Sequence, residues 1–366
     1  MESTLPRKQY PVLKPGSTSP GWGGPQSSDC ESLRDYTDSG LCPVLLDDVL
    51  SGLDLMHNER PDSGQYLALK VLRLQYSTLD NSEMSILRKL EKLESAFFYT
   101  HAPTQGRFLC LGLKPLGCTL RERYNAEVDA PRDLPSLTTL VKTLLGKVLD
   151  FHQKGICHGD ISPNNVSLGV HAEAFGDDAL HQTFEYDTKS HVRFWGASNL
   201  STTPSPPRPA NLPEYIIIRY ETPLKTNAQD MSLVDIIDFG KGFEAPSKTG
   251  VLGTDKYYAP ELDCSGPNTA TAVSDLWSLG CVFAYALTYR HLFELKSDLA
   301  EYLASDNKAQ LSFIESQLSA SLEGKPEYLH LFARFIHSLV RIDPEERDTE
   351  DAKGILQELE AWGPSN

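Results

Sequence analysis

The residue spacing with the clearest chemical meaning lies at positions 158–165, which read HGDISPNN. Asp160 offers a carboxylate that could accept a proton from a hydroxyl group. Asn165 follows it closely and offers an amide oxygen that could hold a magnesium ion on nucleotide phosphates. A carboxylate and an amide at this spacing predict phosphoryl transfer. The loop alone does not identify the molecule that would accept the phosphate.

A second pair of candidate groups precedes this loop. Residues 66–71, YLALKV, predict a strand that carries Lys70. Glu83 opens a predicted helix, because apolar residues follow it at intervals of three or four, namely Leu87, Leu90 and Leu93.

Further motifs follow in a fixed order. After the strand-like run at 234–237 come DFG at 238–240, GT at 253–254, APE at 259–261, DLWSLG at 275–280 and DPEER at 343–347. With Lys70 and the loop at 158–165, they make seven ordered matches. The chain therefore resembles a eukaryotic-type protein kinase over roughly residues 44–362.

This resemblance implies an α+β, two-lobed protein-kinase fold, with a small β-rich lobe that has one main helix and a large, mostly helical lobe. It implies that Asp160 orients the attacking hydroxyl and accepts its proton, and that Asn165 and Asp238 hold magnesium. Lys70, steadied by Glu83, would position the ATP phosphates. ATP and Mg²⁺ are the expected cofactors.

Three further residues are expected to act as scaffold. In the family that the chain resembles, Glu261 and Arg347 pair as a buried structural bridge. Asp275 braces the backbone of the catalytic loop. Loss of one partner of a buried pair costs ~3–5 kcal/mol.

Domain borders follow from composition and motif order. Residues 1–42 are rich in Pro, Gly and Ser, which predicts a largely disordered segment. Within it, GWGG at 21–24 resembles a displaced Gly-rich loop. The small lobe is predicted at 43–116 and the large lobe at 117–366. A polar insert at 168–232 lengthens the large lobe; it is either a tolerated surface insertion or a functional segment.

Periodicity places several elements more closely. Residues 108–113 predict the last strand of the small lobe, followed by a hinge at which Leu116 is expected to contact the adenine of ATP. Helical spacing predicts helices at 137–154, 332–342 and 349–362.

Other segments resemble fungal kinases related to the serine/arginine-protein kinases. These segments are LPEYII at 212–217, IIDFGKGF at 236–243, HAPTQG at 101–106 and RHLF at 290–293. This resemblance implies transfer of phosphate to Ser or Thr in basic, Arg/Ser-rich proteins such as splicing factors.

The sequence also departs from the family pattern. Near Lys70, only Gly52 is available where a Gly-rich loop is expected. Ser162 occupies the position of a Lys that touches the γ-phosphate and substrate, and a hydroxyl there could donate a hydrogen bond without charge. Gly159 replaces the Arg that would bind an activation-loop phosphate. Tyr258 stands where related kinases have Arg, which affects peptide preference.

Composition limits the partners and the compartment. A chain of 366 residues with 40% apolar content suits one catalytic unit, and its net charge of −16 favours basic protein substrates over nucleic acid. No apolar run is long enough to span a membrane. The N-terminus lacks a signal-peptide pattern, and seven cysteines without paired spacing indicate reduced thiols. A cytoplasmic or nuclear monomer is expected.

Three functions remain open from the sequence. The first is an active protein Ser/Thr kinase. The second is a pseudokinase scaffold, since the Gly-rich loop and the Lys at position 162 are missing. The third is a small-molecule phosphotransferase. For an active kinase, Gly159 and the short segment with Ser247 and Thr249 predict activity that does not depend on phosphorylation there.

Overall fold

A computed structural model describes residues 42, 52–54, 67–101, 106–126, 133–169, 192–194, 215–217, 231–250, 253–263 and 269–361. The N-terminal segment up to residue 41, including GWGG at 21–24, and most of the insert at 168–232 lie outside these residues. The chain divides into two compact units. The first contains Met1–Met84, Lys92–Pro115 and Ala172–Thr222, and the second contains Ser85–Glu91, Leu116–His171 and Pro223–Asn366.

Twelve short strands and eight α-helices occur in the described part of the chain. The strands are β1 (Gly52–Asp54), β2 (Ala68–Val71), β3 (Leu93–His101), β4 (Gly106–Leu113), β5 (Ile156–Cys157), β6 (Val166–Ser167), β7 (Val192–Phe194), β8 (Tyr215–Ile217), β9 (Asp235–Ile236), β10 (Phe243–Glu244), β11 (Lys248–Thr249) and β12 (Thr269–Ala270). The helices are α1 (Ser82–Lys89), α2 (Leu120–Ala126), α3 (Leu134–Gln153), α4 (Ala272–Thr288), α5 (Lys296–Ala304), α6 (Asn307–Ser319), α7 (Pro326–Leu339) and α8 (Thr349–Ala361).

The first unit contains an antiparallel sheet with the strand order β1-β3-β4-β2. Strand β4 is almost continuously buried and lies between two neighbours, as its run of apolar residues predicts. Strand β2 pairs with β4 so that Lys70 lies opposite Leu111. The strands predicted at 66–71 and 108–113 are therefore present. Gly52 begins β1 and lies opposite Tyr99.

The boundary between α1 and β3 corrects one prediction. Helix α1 begins after Asn81, whose Oδ1 accepts a hydrogen bond from the Met84 amide at 2.9 Å. The helix ends at Lys89, and Glu91 adopts a left-handed backbone conformation with φ 57°. Leu93, which the spacing assigned to the helix, instead begins β3 and pairs with Leu113. A step of three residues fits a helix, but the turn at Glu91 interrupts it.

In the second unit, α4 lies in the core. Every residue from Ser274 to Thr288 is buried. An aromatic cluster packs around Trp277: Phe293 stacks on it at 5.7 Å between ring centroids, and Tyr302 meets it edge-on at 6.2 Å. A helix that is apolar on all sides is expected to be covered by other elements.

The other predicted helices differ from the structure mainly at their ends. Helix α3 covers most of the range predicted at 137–154, but it begins at Leu134. Helix α7 begins at Pro326 and ends at Leu339, both earlier than predicted, and Pro326 suits a first helical position because its missing N–H would have no partner there. Helix α8 agrees with the prediction at 349–362 to within one residue. None of the described helices is both long enough and apolar enough to span a bilayer.

Small strand pairs position the loops of the second unit. Strand β5 pairs with β10, β6 with β9, and β11 with β12, all antiparallel. In the first unit, within the predicted insert, β7 pairs with β8.

Candidate active site

Lys70 and Glu83 form an ion pair in the first unit. Lys70 Nζ lies 2.6 Å from Glu83 Oε1. The Glu83 side chain is only 6% exposed and that of Lys70 is 34% exposed, so the pair is largely shielded from water. Strand β2 presents the Lys, and the first turn of α1 presents the Glu. The structure thus brings together the two residues that the sequence analysis paired.

Asp275 holds the backbone of the loop at 158–165 in the second unit. Its Oδ2 accepts the amide N–H of His158 at 2.8 Å, and its Oδ1 accepts that of Gly159 at 2.8 Å. His152 Nε2 also lies 3.0 Å from Asp275 Oδ2. Gly159 has φ +74°, a left-handed conformation that costs a residue with a side chain about 1–2 kcal/mol. Asp275 therefore braces the loop, as the resemblance implies.

Asp160 is held by groups on both of its carboxylate oxygens. Its Oδ1 accepts hydrogen bonds from Thr254, at 2.6 Å from the backbone N–H and 2.7 Å from the Oγ1 hydroxyl. Its Oδ2 lies 3.0 Å from Lys241 Nζ. The Asp160 side chain is 12% exposed. The arrangement orients a carboxylate that still reaches solvent.

Lys241 is the group that sequence reasoning missed. It directly follows the DFG motif, so the only signal was a cation at that position. Nothing in the spacing indicates that this cation contacts Asp160, because the contact depends on how two loops fold back on each other.

Asn165 and Asp238 lie at the same end of the β6–β9 pair, where Asn165 is opposite Ile237 and Asp238 is the next residue. Val166 lies opposite Ile236, and the Ile237 amide donates to the Asn165 carbonyl at 2.9 Å. Asn165 Nδ2 donates to the Asp160 carbonyl at 2.8 Å, which leaves its side-chain oxygen as the group that could bind a cation. Asp238 is exposed and has φ 64°. A carboxylate and an amide oxygen match the ligands that Mg²⁺ prefers.

His158 is a buried, neutral support for this loop. Its Nδ1 accepts the Asp160 amide N–H at 3.2 Å, and its Nε2 lies 3.0 Å from the Ile237 carbonyl. Burial lowers the pKa of the imidazole below its usual value, against the opposing effect of the Asp275 carboxylate. Phe239 is fully buried and meets the His158 ring edge-on at 4.7 Å. The DFG backbone is thereby anchored through its Phe.

Ser162 is fully buried in the loop at 158–165. The residue is 0% exposed, and its Oγ has no hydrogen-bond partner among the described residues. The expectation that this hydroxyl donates to a substrate phosphate is therefore wrong for this structure, because the side chain points into packed protein.

The segment after DFG is tied to the rest of the second unit. Phe243 pairs with Cys157, and Lys248 pairs with Ala270. Closer to APE, the Tyr257 hydroxyl and His291 Nδ1 lie 2.7 Å apart and share a hydrogen bond. Burial lowers the pKa of the His291 ring, and nearby Lys256 adds to this effect.

Glu261 and Arg347 form the expected buried bridge. Arg347 Nη1 and Nη2 each lie 2.7 Å from a Glu261 oxygen, a bidentate arrangement. The guanidinium group is 0% exposed, and Nη1 also donates to the Val273 carbonyl at 2.9 Å. The bridge therefore anchors the APE segment.

The remaining predicted contact, Leu116, is half-buried and begins the segment Leu116–His171 of the second unit. The amide of the next residue, Gly117, donates to the Leu168 carbonyl at 2.7 Å. The adenine contact of Leu116 stays a prediction, as do the roles of the other site residues in catalysis.

Comparison with known proteins identifies the kind of fold that carries this site. Residues 222–359 match the family model described as "Protein kinase domain". A stretch of 95 residues is 37% identical to Cyclin-dependent kinase E-1 of Arabidopsis thaliana, covering 24% of this chain and 19% of that protein. A longer stretch of 277 residues is 23% identical to the "Probable serine/threonine-protein kinase clkA" of Dictyostelium discoideum, covering 71% and 26%.

A third relative is Mitogen-activated protein kinase kinase kinase 15 of Mus musculus, 34% identical over 131 residues, which is 34% of this chain and 9% of the relative. The chain spans only a minor part of the length of these curated relatives. All three are named as kinases, and the described elements agree with the α+β, two-lobed kinase fold. These similarities and the geometry of the site support a eukaryotic-type protein kinase.

Proposed function

We propose that the chain is an ATP-dependent serine/threonine protein kinase. The observation that carries the proposal is the double hold on Asp160, whose Oδ1 accepts two hydrogen bonds from Thr254 while Oδ2 faces Lys241. A carboxylate fixed in this way can orient a hydroxyl group and accept its proton. Restricting the orientation of reacting groups lowers the entropy cost of reaching the transition state.

The proposed reaction is an in-line phosphoryl transfer. The oxygen of a Ser or Thr hydroxyl attacks the γ-phosphorus of ATP while its proton passes to Asp160. The bond between the γ-phosphorus and the β–γ bridging oxygen breaks, and ADP leaves. Asn165 and Asp238 are the proposed ligands of Mg²⁺, which supplies neutralising positive charge on the phosphates when bound.

Lys70 has the proposed role of phosphate binding, and Glu83 that of holding Lys70 in place. Their 2.6 Å ion pair fixes the ammonium group at the end of a flexible side chain. A cation held in this way can bind the α- and β-phosphates with a smaller entropy cost. The adenine is proposed to contact the backbone near Leu116.

Basic proteins are the proposed substrates, and Arg/Ser-rich splicing-type proteins are the specific candidates. The net charge of −16 favours basic partners. Near the APE segment, burial raises the pKa of the Tyr258 hydroxyl, and Asp263 and Asp255 add to this effect. The two carboxylates support the proposal, because they add negative charge beside this segment. We propose action as a monomer in the cytoplasm or nucleus.

The test is transfer from labelled ATP to an Arg/Ser-rich peptide. Purified protein is expected to label the peptide but not a version with Ala in place of Ser, and Asp160→Asn is expected to abolish labelling. Asp150→Asn is the matched control, because Asp150 is an exposed acid that pairs with Lys154 on α3. Equal labelling by wild type and Asp160→Asn would contradict the proposal.

A pseudokinase scaffold is the second candidate, and the buried Ser162 favours it. A thermal-shift scan with Mg-ATP separates the two. A ligand at ~100 times its Kd stabilises the fold by ~2.7 kcal/mol. No shift at millimolar nucleotide would favour a scaffold.

The third candidate, a small-molecule phosphotransferase, is disfavoured by the anchored APE segment. A screen of choline, aminoglycosides and sugars is expected to show no transfer. Robust transfer to any of these acceptors would replace the protein-kinase proposal.

A further inference from the structure

We propose that Lys241 is the cation that positions Asp160 for catalysis, a role that the catalytic loop itself does not supply. The inference rests on the proposed kinase function and names a residue that spacing did not indicate. Lys241 Nζ lies 3.0 Å from Asp160 Oδ2. Both residues belong to the second unit.

The Asp160 carboxylate has a limited number of acceptor sites. Each of its oxygens can accept about two hydrogen bonds. Thr254 takes two on Oδ1 through its backbone N–H and its hydroxyl. Lys241 takes one on Oδ2, which leaves room on that oxygen for a substrate hydroxyl. The proton acceptor is thus the oxygen that Lys241 touches.

Contacts to both oxygens also restrict rotation of the Asp160 carboxylate. The bond that carries this group has a broad torsional minimum, so hydrogen bonds to one oxygen restrain it incompletely. Contacts on both oxygens, from Thr254 on one side and Lys241 on the other, fix its plane. Without Lys241, Oδ2 would turn through a wider range, and fewer encounters with substrate would be productive.

The turn that contains the end of the DFG motif positions Lys241. Lys241 ends a 3-10 turn, Phe239–Lys241, that the fully buried Phe239 anchors. The side chain of Lys241 is 46% exposed. Exposed ion pairs add little to stability, about 0–1 kcal/mol. The contact therefore matters more for the orientation of Asp160 than for folding.

Ser162, the loop residue at the position where related kinases have a Lys, does not hold Asp160. Ser162 is fully buried, and its hydroxyl has no partner among the described residues, so it brings neither charge nor a hydrogen bond to Asp160. The positive charge beside the carboxylate comes from the segment after DFG instead.

Steady-state kinetics test the proposal with three variants. Lys241→Met is expected to lower kcat by ~10- to 100-fold, as misplacement of a reacting group does, with KM for ATP and peptide within about twofold of wild type. Lys241→Arg is expected to recover most of kcat, because it restores the charge. Lys142→Met is the control, since Lys142 forms an exposed ion pair with Glu360 on the outer helices.

A second measurement does not depend on activity. The Thr254 amide donates to Asp160, so its hydrogen exchange reports how well the carboxylate is held. Exchange of a peptide containing Thr254 is expected to accelerate in Lys241→Met and Asp160→Asn but not in Lys241→Arg or Lys142→Met. If wild type transfers no phosphate, the proposed function fails, and this exchange experiment still decides whether Lys241 holds Asp160.

Three results would overturn the inference. Unchanged kcat in Lys241→Met would mean that the cation is dispensable. A higher kcat would mean that Lys241 restrains Asp160 as a brake. Unchanged exchange at Thr254 in Lys241→Met would mean that the carboxylate is held without it.

Discussion

Thr254 donates to Asp160 through two different groups, and only one of them depends on its side chain. The backbone N–H would remain in any variant, whereas the Oγ1 hydroxyl is lost in Thr254→Val. Valine has nearly the same shape as threonine, so the change removes one hydrogen bond and leaves the packing similar. A hydrogen bond to a charged group contributes about 1.5–3 kcal/mol.

We expect Thr254→Val to lower kcat by about tenfold, equivalent to ~1.4 kcal/mol in the barrier. Thr254→Ser restores the hydroxyl and is expected to act like wild type. Peptide phosphorylation by the three proteins provides the measurement, with Asp160→Asn as the zero level. If Thr254→Val retained full activity, the hydroxyl would have no part in holding Asp160.

His337 gives the molecule a pH-dependent stability. It is 7% exposed, its Nε2 lies 3.3 Å from Gln310 Oε1, and burial lowers its pKa from 6.5 to about 4, with nearby Arg341 adding to the effect. Between pH 6.5 and 4, His337 binds a proton in the unfolded chain but stays mostly neutral in the native state. The free energy of unfolding is therefore unaffected by this group above pH 6.5 and decreases as the pH falls toward 4.

We therefore expect Tm to decrease less between pH 6.5 and 4 in His337→Gln than in wild type. Each unit of pKa difference corresponds to ~1.4 kcal/mol. His158, also buried with a lowered pKa, stays in place, so some pH dependence persists. His330 is an exposed histidine that pairs with Glu315, and His330→Gln is the control. Identical slopes for wild type and His337→Gln would contradict the assignment.

At the residue level, the sequence predicted groups whose spacing is local and missed a contact made at long range. Asp160 and Asn165 sit in one loop, and their spacing is visible in the sequence. Lys241 meets Asp160 only after the chain has folded back, and burial of Ser162 depends on packing around it. Such contacts have no periodic signal.

At the level of elements, the segment from Phe243 to Thr254 is held at three described places along its length. Strand β10 pairs with β5, β11 pairs with β12, and Thr254 contacts Asp160. These contacts use backbone groups and Thr254, and none requires a phosphate on Ser247 or Thr249. The order of the segment is therefore expected to be independent of modification there.

Replacement of Ser247 and Thr249 together by Ala is expected to leave kcat within about twofold of wild type. Phosphatase treatment of the wild type is expected to have equally little effect, because Gly159 offers no guanidinium to a phosphate. Kinetics before and after treatment provide the measurement. A tenfold loss of kcat after either change, ~1.4 kcal/mol in the barrier, would show that phosphorylation orders the segment.

Elements were predictable where one period persists over many residues. Helix α3 keeps its apolar spacing over several turns, and its existence was evident from the sequence. A short turn at Glu91 interrupts the helical period before β3. The apolar spacing continues across this turn, so the prediction extended the helix too far, to Leu93. Helix ends such as Pro326 depend on capping groups and on neighbouring elements, so the predicted ends differ from the observed ones.

At the level of the whole molecule, the Glu261–Arg347 bridge connects parts of the second unit that are far apart in sequence. Arg347 also lies over the Trp277 ring at 5.3 Å, so the bridge joins the APE segment, α4 and the turn before α8. Because the guanidinium is fully buried, removing it leaves Glu261 without its main partner in a region of low dielectric.

We expect Arg347→Met to lower the free energy of unfolding by about 3–5 kcal/mol. Arg334→Met is the matched control, because Arg334 forms an exposed pair with Glu358, and its loss is expected to cost about 0–1 kcal/mol. Chemical denaturation of the three proteins measures the difference. Equal midpoints for Arg347→Met and wild type would mean that the buried bridge adds nothing net.

The fold class was predictable from the order of the motifs, and it is confirmed. Strand-rich and helix-rich parts follow each other along the chain, and each has its own apolar pattern. The domain borders at 42, 116 and 168–232 stay predictions. A polar insert and a Gly- and Pro-rich start carry little periodicity, so sequence patterns alone define them poorly.

The contact between Thr254 and Asp160 also has a thermodynamic consequence. One partner belongs to the segment that precedes APE, and the other is the proposed proton acceptor. A ligand that favours the paired arrangement must, by linkage, be bound more tightly when the pair is formed than when it is broken. A peptide that binds with the pair formed would therefore stabilise the acceptor in its held orientation, whereas a compound that binds only with the pair broken would weaken that hold.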